Sequence, residues 1–196
     1  MNPLLLIDAD YFFYRAASAS EDEHEYSEDV TVIVGDHRKA KSIVNQEIAN
    51  LKQKFNSEDV LLFFTDRKNF RKDIDPTYKG NRTKRKPAGY RKLVDWGRES
   101  YKSQMMPGLE ADDVLGITAT QGHLGDFVLI SPDKDLQQIP CHIYDLKTEF
   151  TQTPEAAERK LYEQALTGDA TDGYKGCTGV GPKKAEIILK KAKGNY

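Results

Sequence analysis

Short apolar runs that end in acids set the pattern of this chain. Pro3-Leu-Leu-Leu-Ile7 stops at Asp8-Ala-Asp10, Asp59-Val-Leu-Leu-Phe-Phe-Thr65 stops at Asp66, and Asp126-Phe-Val-Leu-Ile-Ser131 is followed by Asp133 and Asp135. A short run without polar alternation is the signature of a strand covered on both faces, as in a parallel sheet. Between these runs the period changes. Ala40, Ile43, Val44, Ile48, Leu51 and Phe55 recur three and four residues apart, which predicts an amphipathic helix over 37–55. Further helices are predicted over 11–17, 93–101, 110–120, 154–166 and 183–192, and a fourth strand over 141–146. Residues 18–30, rich in Ser and Glu, read as a loop. Strands alternating with helices predict βαβ units, hence an α/β fold with a mostly parallel central sheet flanked by helices. Ligands bind such sheets beyond the carboxyl ends of the strands, where each run delivers an acid.

The segment Gly108-Leu-Glu-Ala-Asp-Asp-Val114 adds Glu110, Asp112 and Asp113 at the start of a predicted helix. Acids in a first turn complement the helix dipole by roughly 0.3 to 1 kcal/mol each, so capping is the plainer reading for one of them. For three, mutual repulsion is the larger effect: two unit charges about 4 Å apart repel by roughly 4 kcal/mol at an effective dielectric of 20, a cost that a divalent cation turns into attraction.

Charge is segregated along the chain. The net charge is -2, yet Arg67 to Lys92 holds eleven Lys or Arg against two acids, with Pro76, Gly80, Pro87 and Gly89 interspersed. Lys79 and Arg82 stand three residues apart and would share a face if that part is helical, suited to gripping adjacent phosphates. Near the C-terminus, Gly179-Val-Gly181 before Pro182 predicts a glycine turn against a Pro-started helix, a device that offers backbone N–H groups to phosphate. Its spacing is neither a dinucleotide-binding fingerprint nor a Walker loop.

The chain has 196 residues, enough for one α/β core with a small appended module. Only Cys141 and Cys177 are present, without C-x-x-C spacing, and no secretory segment precedes Leu4, so a reducing cytoplasm is the expected location. The apolar runs are too short to span a bilayer, and the four histidines are scattered, with no zinc-like spacing.

The acids at strand ends or in tight motifs are Asp8, Asp66, Glu110, Asp112, Asp113, Asp133, Asp135, Asp169 and Asp172. All-oxygen ligands select hard cations such as Mg²⁺ or Mn²⁺ over zinc. So many carboxylates could hold two ions, the arrangement that activates water and stabilises the leaving oxygen in phosphodiester hydrolysis. Lys79 and Arg82 would then stabilise charge on the scissile phosphate.

The same residues carry a family resemblance. Asp8 after its strand, Phe70-Arg71 followed by Tyr78-Lys-Gly-Asn-Arg82, Gly-Leu-Glu-Ala-Asp-Asp, Ser-Pro-Asp-Lys-Asp, and Gly-Asp-Ala-Thr-Asp-Gly with Gly-Val-Gly-Pro-Lys-Lys resemble, in order, the motifs of the 5′-nuclease superfamily of flap endonucleases and 5′→3′ exonucleases. The stretches Thr65-Asp-Arg-Lys-Asn-Phe-Arg-Lys, Asp75-Pro-Thr-Tyr-Lys-Gly-Asn-Arg, Lys86-Pro-Ala-Gly-Tyr90 and Gly168-Asp-Ala-Thr-Asp-Gly-Tyr174 are similar to the replication exonucleases of short-tailed bacteriophages.

The resemblance implies that Asp8, Asp66, Glu110, Asp112 and Asp133 serve a tighter metal site, and that Asp135, Asp169 and Asp172 serve a second, with Asp113 near both. It places Lys79 and Arg82 at the base of a helical arch that admits a single-stranded 5′ end. Arg15, Arg71 and Tyr78 belong to the same DNA-contacting set. Gly179, Gly181, Lys183 and Lys184 would lie in a helix-three-turn-helix element on duplex backbone, with K⁺ held by carbonyls around Gly176 to Gly181. The implied division is a nuclease core over 1–150, including a basic arch segment over 67–100, and a duplex-binding region over 151–196. A monomer acting on DNA duplexes with a 5′ end or flap, and on RNA-DNA hybrids, is expected, with replication proteins as partners and no membrane. Asp10 stands where the wider family is often uncharged, and would add a ligand or a water contact. Relatives usually continue past the last helix, so a minimal or truncated form, or an incomplete duplex-binding surface, is expected.

Two other readings compete. Leu-Leu-Ile-Asp8-Ala-Asp10 resembles the opening of haloacid-dehalogenase-like phosphatases, with Asp8 as nucleophile and Asp10 as acid/base, although those enzymes have no use for the basic segment or the glycine turn. A DNA-end-binding module without catalysis would keep binding when the acids are lost.

Overall fold

The computed structural model describes residues 2–81 and 83–192. In chain order its first half comprises β1 (Leu4–Asp8), α1 (Ala9–Ser18), β2 (Glu21–Ser27), β3 (Val30–Gly35), α2 (His37–Phe55), β4 (Val60–Phe63) and α3 (Phe70–Ile74). Then come α4 (Tyr90–Ser100), β5 (Ser103–Gln104), α5 (Ala111–Thr120), β6 (Phe127–Ile130), a 3-10 turn over Lys134–Gln138, β7 (His142–Tyr144), β8 (Glu149–Thr151), α6 (Pro154–Thr167) and α7 (Pro182–Ala192).

The apolar runs become neighbours. β1 lies between β4 and β6, parallel to both, with Ile7 opposite Leu62 and Ile130. The sheet order is β5-β4-β1-β6-β7-β8, parallel except for β8, which runs antiparallel to β7. A central strand must be apolar on both sides, and successive residues of β1 serve opposite layers. Leu5 and Ile7 join Phe13, Val44, Ile48 and Leu93 from α1, α2 and α4, whereas Leu6 joins Val114 and Leu115 of α5 and Leu136. Each such fully buried side chain contributes about 1.5–3 kcal/mol relative to exposure. No helix among the described residues is long and apolar enough to cross a membrane.

Two expectations are corrected. Residues 21–35 form a β-hairpin rather than continuing a loop, with Asp22 opposite Val34 and His24 opposite Val32. Its strands are largely exposed, so no buried face marks them in the sequence. The basic segment is not helical at Lys79. Its helix is α3 alone among the described residues of 67–89, and a series of turns follows, with Lys79 at φ 54. The cause is local: the Asp75 carboxylate accepts from the backbone N and Oγ1 of Thr77, a side-chain turn that competes with helix, and Pro76 and Gly80 reinforce it. Arg82, and with it the three-residue pairing with Lys79, lies outside the described residues.

The loop between α6 and α7 folds back on itself. Asp169 and Tyr174 exchange both backbone hydrogen bonds, and Cys177 N donates to Leu166 O at 2.9 Å. Gly176 (φ 61) meets Gly168 so closely that a Cβ there would come within 2.3 Å of Gly168 N, so glycine is required.

Candidate active site

The strand ends deliver their acids to one edge, as the apolar runs predicted. Asp8 closes β1 and is 7% exposed. It accepts from Ser131 Oγ at 2.8 Å, a hydroxyl placed just beyond β6. Burial, then the charges of Asp10 and Asp133, push the Asp8 carboxyl up to about 7. Asp112, in the first turn of α5, is raised well above the ordinary carboxylate range by burial, then by Asp8, Asp133 and Glu110. A buried group in such company resists ionising unless a cation is near.

The loop before α5 is held to the end of β4. Asp66 Oδ2 accepts from Gly108 N at 2.7 Å and Oδ1 from Arg67 N at 2.7 Å, which holds this carboxyl low. Phe70 N in turn donates to Gly108 O. Glu110 and Asp113 cap α5 reciprocally, so capping is part of their role. Their remaining oxygens reach the basic segment. Asn69 Nδ2 donates to Glu110 at 2.6 Å, Lys79 Nζ at 2.7 and 3.0 Å, and Tyr78 OH at 3.1 Å. Arg71 grips Asp113 with both Nη atoms at 2.7 Å. That hydrogen-bonded guanidinium keeps Asp113 below the ordinary range. Burial opposes the charge on Lys79, but Glu110 outweighs it and the ammonium is stabilised.

Two clefts flank this contact. One, of about 750 Å³, is lined by Asp8, Asp66, Glu110, Asp112 and Asp133 with Lys79. The other, of about 770 Å³, is lined by Asp112, Asp113, Asp135, Asp169 and Asp172, and by Glu110 again. The nine acids singled out in the sequence thus divide between them, with Glu110 and Asp112 on both. Asp133 caps the 3-10 turn through Asp135 N, Asp135 accepts from Gln164, and Lys134 reaches Asp169 at 2.9 Å. Burial raises Asp135, while the Lys134 hydrogen bond lowers Asp169.

Among the described residues, no three His, Cys, Asp or Glu converge into a set that grips an ion as they stand. The donors nonetheless fit hard cations: they are all carboxylates, three of them, Asp8, Asp112 and Asp135, are pushed toward protonation first by burial and then by neighbouring acids, and Lys79 and Arg71 supply the positive charge.

Of the other expected residues, Asp10 lines the first cleft, and Arg15 and the glycine-turn set lie apart. Arg15, which the resemblance assigned to phosphate, lines neither cleft; it sits 5.4 Å over the Tyr11 ring and 3.9 Å from Glu47. Gly179, Gly181, Lys183 and Lys184 are at the start of α7, outside both clefts, with Lys184 Nζ on Gly179 O at 2.8 Å. Asp10 is a tie rather than a free acid, accepting from Thr65 N at 3.3 Å and Tyr90 OH at 3.1 Å. Ser131, Asn69, Gln164, Lys86 and Arg91 were missed. Ser131, Asn69 and Lys86 lie inside motifs quoted from the sequence, and position in those motifs was their only signal.

Residues 3–165 match the family described as 5′-3′ exonuclease, N-terminal resolvase-like domain, and the chain belongs to it. The chain is 36% identical over 198 residues to the exonuclease of Escherichia phage T7, covering 94% of this chain and 66% of that one. It is 35% identical over 191 residues to the exodeoxyribonuclease of Enterobacteria phage T3, covering 91% and 63%. It therefore spans slightly less than two thirds of the length of these curated relatives. The fold is similar to that of the bacteriophage T5 flap endonuclease in a pseudo-enzyme-product complex with DNA and metal ions, with TM-score 0.67 at 17% identity, covering 96% of this chain and 75% of that one.

Proposed function

We propose that this protein is a divalent-metal-dependent nuclease that hydrolyses phosphodiester bonds of DNA, and of RNA in RNA-DNA duplexes, from a 5′ end in the 5′→3′ direction, releasing short products with 5′-phosphates. The observation that carries it is the meeting of Asp8, Glu110 and Asp112 with Lys79 at one cleft beyond the strand ends. The family and its phage relatives support the same chemistry.

Asp8, Asp66, Glu110, Asp112 and Asp133 would hold one Mg²⁺ or Mn²⁺, and Asp135, Asp169 and Asp172 a second, with Asp113 near both. When bound, such ions supply an activated water and neutralise the leaving oxygen. The chain's own residues do the rest. Ser131 orients Asp8, and Gln164 orients Asp135. Lys79 stabilises charge on the scissile phosphate, a duty that the resemblance shares with Arg82. Arg71 and Tyr78 border the strand's path, while Lys86, Arg91 and Arg98 make the cleft wall attractive to the phosphate chain.

In the same reading residues 1–150 are the nuclease core and 151–196 grip duplex backbone. There α6, its loop and α7 act as a helix-three-turn-helix, with Lys183 and Lys184 on phosphate and K⁺ at the carbonyls around Gly176 to Gly181. The site of action is the cytoplasm, alongside replication proteins.

The test is digestion of a duplex labelled at one 5′ end, with recessed and flapped versions, in Mg²⁺ and in EDTA. Mg²⁺-dependent release of labelled mono- or dinucleotides is expected. Release of the intact flap assigns a flap endonuclease, and salt-sensitive binding without cleavage overturns the enzyme.

A further inference from the structure

The hairpin has a joint with the basic segment that the acid cluster does not explain. Glu21 opens β2, and its side chain is 18% exposed. One oxygen accepts from Arg85 Nη1 at 2.5 Å and from Ala88 N at 2.6 Å, the other from Arg85 Nη2 at 3.1 Å. The other strand closes the same joint: a Cβ on Gly35 would come within 2.4 Å of Ala88 O. Both ends of the hairpin therefore grip residues 85–88.

Residues 83–88 belong to no helix or strand, and Pro87 brings no backbone N–H, so side-chain contacts decide where this limb lies. Its position matters because Lys86 follows Arg85. The Lys86 ammonium lies 4.8 Å from the Tyr90 ring centre, and both residues line the cleft with Asp8, Asp66 and Asp112. Tyr90 is fixed independently by Asp10. The outgoing limb of the basic segment is pinned by Arg71 and Asn69 on acids of α5. The hairpin is the equivalent anchor of the returning limb.

We propose that Glu21 is a positioning residue: paired with Arg85, it clamps the returning limb so that Lys86 faces the acid cleft and meets the phosphate chain of the substrate. This rests on the nuclease reading of that cleft. Arg85 is then a strut whose charge Glu21 neutralises, and among the described residues Lys86, Arg91 and Arg98 are the cations that this limb and α4 present to the cleft. An acid within a segment that meets phosphate would otherwise weaken it.

The experiment compares Glu21→Ala, Glu21→Gln, Arg85→Ala and the Glu21→Ala/Arg85→Ala pair, with thermal melts to confirm folding. Two quantities are measured: tryptic cleavage after Lys84 without DNA, and KM and kcat on a duplex with a single-stranded 5′ overhang. Each alanine variant should speed cleavage after Lys84 and raise KM by about five- to tenfold, with kcat changed less than about twofold. Glu21→Gln, which keeps an acceptor for Ala88 N, should move both the same way by less, and the pair should be no worse than either single variant. Unchanged cleavage after Lys84 in Glu21→Ala overturns the clamp. Additive losses in KM overturn the strut, because they make Arg85 a phosphate contact. A wild type that never cleaves DNA sinks the nuclease reading instead, and the trypsin comparison still decides the clamp.

Discussion

The Lys79 ammonium lies 2.7 Å from Glu110 and 3.7 Å from Asp172, so one cation of the basic segment joins the two acid clefts. It occupies the middle of the negative charge, where an electrostatic stabiliser acts, and not the rim, where a cation only attracts DNA. Replacing Lys79 with Ala should therefore cut single-turnover cleavage by about 10²–10³-fold while changing duplex affinity less than about threefold. Rapid-quench digestion and filter binding without Mg²⁺ separate the two. An affinity loss as large as the rate loss would make Lys79 a binding residue.

Asp8 supplies a pH signature. Its carboxyl titrates near 7 in the fold against an ordinary 3.8, so between those values the folded protein holds a proton that the unfolded chain has released. The contribution of Asp8 to the stability of the metal-free protein then falls as pH rises through that window, while His37, held below its ordinary value by burial, contributes in the opposite sense. Asp66, Asp113 and Asp169, held low, lose their contribution only as pH falls below the ordinary carboxylate range, outside this window. Asp112 and Asp135, raised as well, act in the same direction as Asp8, so in EDTA the melting temperature should drop between about pH 5 and pH 7, and Asp8→Asn should lessen that slope. Added Mg²⁺ should raise the melting temperature most at the upper end, where the ionised acids bind it. A flat EDTA profile in the parent protein would mean that water already solvates the buried acids.

Salt tests the basic wall. Affinity for a 5′-overhang duplex should fall linearly with the logarithm of salt concentration, and Lys86→Ala or Arg91→Ala should each lower the slope by about one, because each removes one phosphate contact and its released counterion. A slope unchanged in Arg91→Ala would take that residue off the DNA path.

What was legible in the sequence follows from burial. β1 and α2 stood out because Leu5, Leu6 and Ile7 must be covered on both faces, and because Ala40, Val44, Ile48 and Leu51 must share one. The acid set was legible for a related reason, since strand ends are the places where a parallel sheet can expose charge to a ligand. The hairpin was not, because its strands bury neither face and their pairing is set by the turn at Glu28-Asp29. The two-residue β5 lacks the length for any period. Nor could spacing reveal that Lys79 meets Glu110 or that Glu21 meets Arg85. Those pairs join turns to distant elements, and only the folded backbone brings them together.

The wall that carries Arg91 and Arg98 depends on one close approach. A Cβ on Gly97 of α4 would come within 2.3 Å of Phe13 Cε1, 2.4 Å of its Cζ and 3.3 Å of Phe64 Cζ. Phe13 has no room to yield: it is fully buried, edge-on to Phe64 at 5.0 Å and 6.4 Å from Trp96. Gly97→Ala would gain about 1 kcal/mol of helix propensity. Against this stands overpacking of a rigid aromatic cluster, typically 1–3 kcal/mol, so the net expectation is a loss of about 1 kcal/mol. The urea midpoint should fall without a change in m-value, and cleavage should weaken as α4 shifts Tyr90 relative to Asp10. A variant as stable as its parent would show that Phe13 can rotate aside, and the cleft wall would then tolerate movement of α4.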